Sequence, residues 1–117
     1  MYRFSALLAP LLWITLIAVY VLAMLPPGDA PQLGNDKIQH MAAFFTLAVL
    51  AGLALPRVAG LWIAGGLALF GAAIEVSQLV TNLGRQASMA DWFADVFAIA
   101  AGLLIVAPIR RRMQESR

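Results

Sequence analysis

The stretch that decides the fold is residues 74–103, IEVSQLVTNLGRQASMADWFADVFAIAAGL, which runs from one apolar segment through a polar turn into the next. It contains three carboxylates and one arginine between hydrophobic flanks, at Glu75, Asp91, Asp95 and Arg85. Ionisable side chains are costly inside a bilayer, and those that occur there usually mark a functional site. These residues are therefore either part of a site or groups that hold membrane helices together.

The composition indicates a membrane protein. Of the 117 residues, 62% are hydrophobic and 12% are charged, and the mean hydropathy is +0.85. These values are too apolar for a soluble domain of this size. No long hydrophilic block interrupts the chain, so we predict one transmembrane domain over residues 1–117. The absence of cysteine excludes disulfides and thiolate metal sites.

Four apolar segments predict an all-α fold, a polytopic membrane four-helix bundle. They cover about residues 7–25, 38–55, 61–80 and 89–109, and each approaches the roughly 20 residues that cross a bilayer. The connections predict an antiparallel, up-and-down order, because the middle turn is too short for anything else. A cleaved secretory signal is the alternative for the first segment, although that segment is long for one.

Local signals mark the helix ends. Asn35 or Asp36 can cap the second helix, and with Asp36 as the cap Gln39 completes a capping box. Pro56 ends that helix. Ser88 and Asp91 have the same capping-box spacing before the fourth segment.

Small residues share a helix face with the polar groups in the third and fourth segments. Such residues let membrane helices approach closely, and offsets of three, four and seven residues return to one side of a helix. The face of the third segment contains Ala68, Gly71, Ala72, Glu75, Gln78 and Asn82. The face of the fourth segment contains Asp91, Ala94, Asp95, Ala98 and Gly102. Trp13, Trp62 and Trp92 lie near segment ends, which is typical of an aromatic belt.

Basic residues predict the orientation. Arg3, Arg57 and four C-terminal arginines fall on one side of the bundle, against Lys37 and Arg85 on the other. The positive-inside rule then puts both termini in the cytoplasm and the polar residues about one helical turn below the outer surface. This basic clustering is a topology signal, so we expect the lipid bilayer as a partner and no nucleic acid.

The candidate ligand-binding residues are the polar side chains at the predicted outer face: Asp36, Lys37, His40, Glu75, Gln78, Arg85, Ser88, Asp91 and Asp95. Glu75 is the strongest, because it lies within an apolar helix and needs a partner such as Arg85 or Lys37. His40 can instead reach the interface or bond a carbonyl.

Catalytic candidates are His40, Glu75 and Asp91. Ligands drawn from three helices without a metal-binding spacing are a weak signal, so we expect no metal and no cofactor.

The spaced polar residues resemble the VanZ-like family of small bacterial membrane proteins. The resemblance covers about residues 36–104, and it rests on Asp36, Lys37, His40 and Phe44, then Glu75, Gln78, Arg85, Ser88 and Asp91. The family usually has Asn at the position of Asp95 and Gly at that of Ala98. The resemblance implies a multi-pass protein of the bacterial inner membrane, and a role like that of the family's namesake in resistance to the glycopeptide teicoplanin.

Three functions are consistent with these residues. The first is an outward-facing pocket that binds a cell-wall precursor, a lipid headgroup or a glycopeptide. The second is an intramembrane enzyme that uses His40 with Glu75 or Asp91 on a lipid-linked substrate. The third is a structural assembly subunit whose polar groups only join the helices.

Overall fold

The computed structural model describes residues 2–24, 36–81 and 89–115, and in that part of the chain it forms four α-helices. These are α1 (Tyr2–Met24), α2 (Asp36–Ala54), α3 (Gly60–Thr81) and α4 (Met89–Glu115). The prediction of an all-α fold is confirmed. The observed helices match the predicted segments apart from the start of α1 and the end of α4, which both extend further.

Three helices are long and apolar enough to cross a membrane: Arg3–Met24, Gly60–Val80 and Trp92–Glu115. The apolar part of α2, Ile38–Ala54, is shorter, about 25 Å long at the usual rise of an α-helix. Large apolar side chains face outwards on the long helices, with Leu61 86% exposed and Leu104 73% exposed. Outward apolar surface of this kind suits contact with lipid.

The shorter helix α2 forms the centre of the bundle. Its Phe44, Leu47, Ala48 and Ala51 are almost completely buried, and α1, α3 and α4 all pack against it. The ring of Phe44 lies 6.0 Å from that of Phe70 on α3. Because α2 is apolar on most of its faces, it is buried by neighbouring helices on several sides.

Glycine and alanine bring α2 and α4 close together. A Cβ atom at Gly102 would lie 2.9 Å from both the Ala48 Cβ and the Phe45 carbonyl oxygen. Further along, a Cβ at Gly52 would lie 2.8 Å from the Val106 side chain. Position 102 thus meets residues 45–48, and position 106 meets residue 52, so the two helices run side by side in the same direction. The small residues predicted on one face of the fourth helix do form its packing surface.

The turn between α2 and α3 has the predicted place and length. Pro56 follows the end of α2, Arg57 is exposed, and the Val58 N–H donates to the Leu55 carbonyl at 3.1 Å. Proline lacks an N–H, so α2 cannot continue through this position. The last carbonyls of α2 are left without helical partners.

Arg110 supplies partners for those carbonyls, and this corrects the sequence analysis, which treated it as a basic residue beyond the helix. Helix α4 continues past the predicted end at residue 109 to Glu115. The Arg110 side chain, only 8% exposed as a residue, donates to the carbonyls of Gly52 at 3.0 Å, Leu55 at 3.3 Å and Val58. Gln114 on the next turn donates to Pro56. These bonds hold the end of α4 against the α2–α3 turn.

We predict that Gly102→Ala lowers the free energy of unfolding by about 1–3 kcal/mol, because the added methyl group meets a backbone carbonyl that cannot rotate away. The matched control is Gly65→Ala, since a Cβ at Gly65 has no atom within 4 Å. Thermal or denaturant unfolding in detergent micelles measures both. Equal stabilities of the two variants would contradict the close α2–α4 contact.

We also predict that Arg110→Gln destabilises the fold by about 1.5–3 kcal/mol, because carbonyls that accept from a charged donor lose it. Arg111→Gln, which removes the same charge from an exposed neighbour, is expected to change stability by less than about 0.5 kcal/mol. The comparison uses the unfolding assay applied to Gly102. A similar loss of stability in both variants would mean that the effect comes from the change in net charge and not from the Arg110 hydrogen bonds.

Candidate functional site

Three of the predicted site residues meet at one end of the bundle. His40 on α2, Glu75 on α3 and Asp95 on α4 each place one nitrogen or oxygen atom within 4.8 Å of those of the other two. We call these three residues the polar cluster. The parallel α2 and α4 account for this convergence, because both helices begin at this end.

Asp95 is the most buried member of the polar cluster. It is 2% exposed, and its Oδ1 atom has no hydrogen-bond partner among the described residues. Its Oδ2 atom lies 3.9 Å from His40 Nδ1, which is beyond hydrogen-bonding distance. A buried carboxylate oxygen without a donor is costly. The fold therefore retains Asp95 at an energetic cost.

His40 is also largely enclosed, with its side chain 12% exposed. The ring is therefore held mostly among the helices of the bundle. Its Nδ1 atom faces Asp95, so a carboxylate can set which ring nitrogen carries the proton. Enclosure and a carboxylate neighbour are both properties of histidines that bind protons or metals.

Glu75 is partly buried and contributes the third group from α3. The sequence analysis predicted Arg85 or Lys37 as its partner, and both of those side chains lie outside the described residues. Among the described groups, its neighbours in the polar cluster are an imidazole and a second carboxylate. Two carboxylates at this separation repel when both are ionised.

Gln78 does not join the polar cluster. It is 3% exposed, and its side-chain amide donates to the Ala23 carbonyl at 2.9 Å. Ala23 lies in the last turn of α1, where carbonyls have no helical partner. Close by, the Tyr20 hydroxyl donates to the Ser77 hydroxyl at 3.0 Å. The amide nitrogen predicted to bind a ligand thus caps α1 and attaches it to α3.

Trp92 has a structural contact that the aromatic-belt interpretation missed. Its indole N–H donates to the Ala68 carbonyl at 3.0 Å, and a Cβ at Gly71 would lie 3.5 Å from its ring. By contrast, Trp13 and Trp62 are 64% and 77% exposed. Trp92 therefore packs against α3 one helical turn from Asp95. The small residues at 68 and 71, spaced along one face, were the signal for this contact.

Gln39 contributes an unpaired donor near the polar cluster. Its Nε2 atom is buried and has no hydrogen-bond partner among the described residues. The capping box predicted with Asp36 would use the Oε1 atom instead, so it stays a prediction. Gln39 directly precedes His40, so this unpaired donor lies at the same end of the bundle as the unpaired Asp95 oxygen. One end of the protein therefore has both a donor and an acceptor without protein partners in the described chain.

The other predicted ligand-binding side chains fall outside the described residues. Asp36 and Lys37 begin α2, and Asp91 is in the first turn of α4, but their side chains are not described. Arg85 and Ser88 precede α4 and are likewise outside it. Their roles remain predictions.

An apolar groove of about 410 Å³ lies elsewhere, between α1 and α2. Its two threonines already bond to their own helices, Thr15 to the Leu11 carbonyl at 2.7 Å and Thr46 to the Ala42 carbonyl at 2.8 Å. The groove thus offers little polar chemistry, and the reactive groups are those of the polar cluster.

Comparisons of the sequence and of the structure found no matching family model, no matching curated protein and no matching solved structure. The resemblance to the VanZ-like family therefore stays a prediction.

We predict that Asp95→Asn leaves the free energy of unfolding unchanged or raises it by about 1–2 kcal/mol, because it removes one of two neighbouring negative charges while keeping the side chain's size. Gln78→Ala, which deprives the Ala23 carbonyl of its donor, is expected to cost about 1–3 kcal/mol. Chemical unfolding in micelles provides both values. A loss of more than about 2 kcal/mol in Asp95→Asn would support a purely structural polar cluster.

Proposed function

We propose that this chain is a VanZ-like integral membrane protein of the bacterial cell envelope, and that it binds the polar headgroup of a lipid or of a lipid-linked cell-wall precursor. The observation that carries this proposal is the convergence of His40, Glu75 and Asp95 from three different helices. Such convergence costs free energy when the groups are ionisable and surrounded by apolar helices. A ligand that uses these groups offsets that cost.

The unpaired atoms at this end support a binding role over a purely structural one. At the opposite end of the bundle, the buried Arg110 donates to three carbonyls. At the polar cluster, Asp95 Oδ1 and Gln39 Nε2 have no partner among the described residues. Polar groups that serve only to join helices are expected to be bonded to one another, whereas those of a binding site bond to the ligand.

The spacing along α4 supports a location near one membrane face. Asp95 and Arg110 are separated by 15 residues, since 110 − 95 = 15, which corresponds to about 22 Å of helix. The hydrocarbon core is about 30 Å thick, so both residues can lie close to opposite interfaces. Arg57 is exposed at the Arg110 end, which favours that end as cytoplasmic.

In the proposed topology, the helices cross up and down with both termini in the cytoplasm, and the pocket opens outwards. The carboxylates and imidazole accept hydrogen bonds from ammonium and hydroxyl groups. Lys37 and Arg85 bind the anionic part of the headgroup. The same outward position allows contact with a glycopeptide such as teicoplanin.

One observation favours an intramembrane enzyme as the second candidate. His40 Nδ1 faces Asp95 Oδ2 at 3.9 Å, so the carboxylate can orient the ring while the other nitrogen accepts a proton from a substrate hydroxyl. Apo sites often hold such pairs at distances longer than hydrogen bonds. In this alternative, His40→Gln abolishes turnover of a bound lipid-linked substrate but preserves its binding.

The proposal predicts that Glu75→Gln and Asp95→Asn each weaken headgroup binding at least tenfold, because each removes a charged hydrogen-bond acceptor. The assay uses Trp13→Phe/Trp62→Phe protein, in which Trp92 near the polar cluster is the only tryptophan. Its fluorescence is followed while short-chain phosphatidylethanolamine, whose ammonium group can donate to the two carboxylates, is added to the purified protein in detergent.

Glu115→Gln is the matched control, because Glu115 is exposed at the far end of α4. In parallel, teicoplanin tolerance is measured in a susceptible host that expresses the chain or its Glu75→Gln, Arg85→Ala or Asp91→Asn variant. Orientation is tested by adding the lipid to spheroplasts or to inverted vesicles. Equal lipid binding and equal tolerance across all variants would contradict the proposed function.

A further inference from the structure

We infer that the polar cluster is a binding site for a divalent transition-metal ion, and that Zn²⁺ fits its donor atoms best. This departs from the expectation of no metal, which was based on sequence spacing alone. Ligands from three helices leave no spacing signature, but here they are adjacent in space. The metal site stands on the geometry, and only its link to headgroups rests on the proposed function.

The donor atoms determine the class of ion. His40 offers an imidazole nitrogen, and Glu75 and Asp95 each offer a carboxylate oxygen. Three nitrogen and oxygen ligands with a fourth position open are typical of reactive zinc sites. Mg²⁺ and Ca²⁺ prefer oxygen-only sites with more ligands, so we expect both to bind much more weakly.

The distances suit an ion placed between the three groups. In a tetrahedral zinc site, neighbouring ligand atoms are about 3.4 Å apart. His40 Nδ1 and Asp95 Oδ2 are 3.9 Å apart, and the three ligand atoms lie within 4.8 Å. Closing the remaining gaps requires shifts of up to about 1.4 Å, which rotations of the three side chains can share.

Charge balance points to the same conclusion. Two carboxylates and a neutral imidazole carry two negative charges, and one divalent cation neutralises both. Because the protein interior has a lower dielectric constant than water, this charge neutralisation is more favourable there than it is in water. Zinc ligands also use the neutral form of histidine, so the ion and the ligand set are mutually consistent.

Asp95 supplies an independent observation. The residue is 2% exposed, yet its Oδ1 atom has no hydrogen-bond partner among the described residues. A buried carboxylate with an unused oxygen next to a histidine and a second carboxylate is an arrangement that a cation completes. The other carboxylate oxygen remains available to bond a metal-bound water.

A bound ion also changes which headgroups the pocket accepts. Two carboxylates alone repel a phosphate, whereas a zinc ion with an open position attracts one of its oxygens. The ion would thus allow an acidic site to bind a phosphate-bearing lipid. We expect Zn²⁺ to increase the affinity for phosphatidylglycerol at least tenfold.

The test uses the purified chain of residues 1–117 in detergent, stripped with EDTA and dialysed. Zn²⁺ is titrated in competition with a chromophoric chelator, and Co²⁺ is added separately to record its visible absorption. We expect one ion per chain, and a rise in Tm of at least about 5 °C with excess Zn²⁺ but not with Mg²⁺. No Co²⁺ absorption together with an unchanged Tm in Zn²⁺ would overturn the inference without requiring any variant.

Variants identify the ligands. His40→Gln, Glu75→Gln and Asp95→Asn are each expected to weaken Zn²⁺ binding at least about 100-fold, since changing a residue that only hydrogen-bonds to a metal ligand already costs 10- to 100-fold. Glu115→Gln is the charge-matched control and should bind like the wild type. Circular dichroism and size-exclusion chromatography confirm folding. Zinc binding that survives all three ligand substitutions would also overturn the site.

Failure of the metal site and failure of the proposed function give different results. Zinc binding without any lipid response retains the metal site and removes the headgroup function. Lipid binding that is the same in EDTA and in Zn²⁺ retains the headgroup function and removes the link to the metal.

Discussion

The close contact between α2 and α4 is the constraint on which the rest of the structure depends. Gly102 lies against Ala48 and the Phe45 carbonyl, so the two helices can have only one register at this point. That register puts His40 beside Asp95 at one end and Gly52 beside Arg110 at the other. A shift of one residue along α4 would rotate Asp95 by about 100° and separate it from His40.

The two ends of the bundle use buried polar groups differently. At the α2–α3 turn, Arg110 and Gln114 donate to carbonyls of the last turn of α2 and of the turn that follows it. These groups are bonded, and their role is to hold the fold. At the opposite end, Asp95 keeps an oxygen without a partner in the described chain. Within the described chain, this contrast distinguishes buried polar groups that are bonded from one that is not.

Local signals predicted most of the fold. Apolar runs, Pro56 and the small residues of the fourth segment are each sufficient to indicate a helix, its end or its packing face, so these predictions were confirmed. The meeting of His40, Glu75 and Asp95 was also predictable, because all three lie near the same ends of their helices. The VanZ-like resemblance, the ligand and the membrane orientation stay predictions.

Other features depend on side-chain directions that no local pattern contains. Gln78 shares a helix face with Glu75, yet it turns to the last carbonyls of α1. Arg110 follows an apolar run, where a basic residue usually indicates only topology. Its long side chain instead reaches three carbonyls, and α4 therefore continues beyond the predicted end. Neither the Gln78 contact nor the Arg110 contacts could be predicted without knowing the position of the neighbouring helix.

In the proposed topology, the separation between the two polar ends also determines which bilayer thickness suits this protein. About 22 Å of helix lies between Asp95 and Arg110, compared with roughly 27–33 Å of hydrocarbon in cell membranes. With the two residues at opposite interfaces, lipids around the bundle thin locally or water reaches inwards to the carboxylates. Thicker membranes increase this mismatch, so acyl-chain length and sterol-like lipids should tune how readily the polar cluster is hydrated.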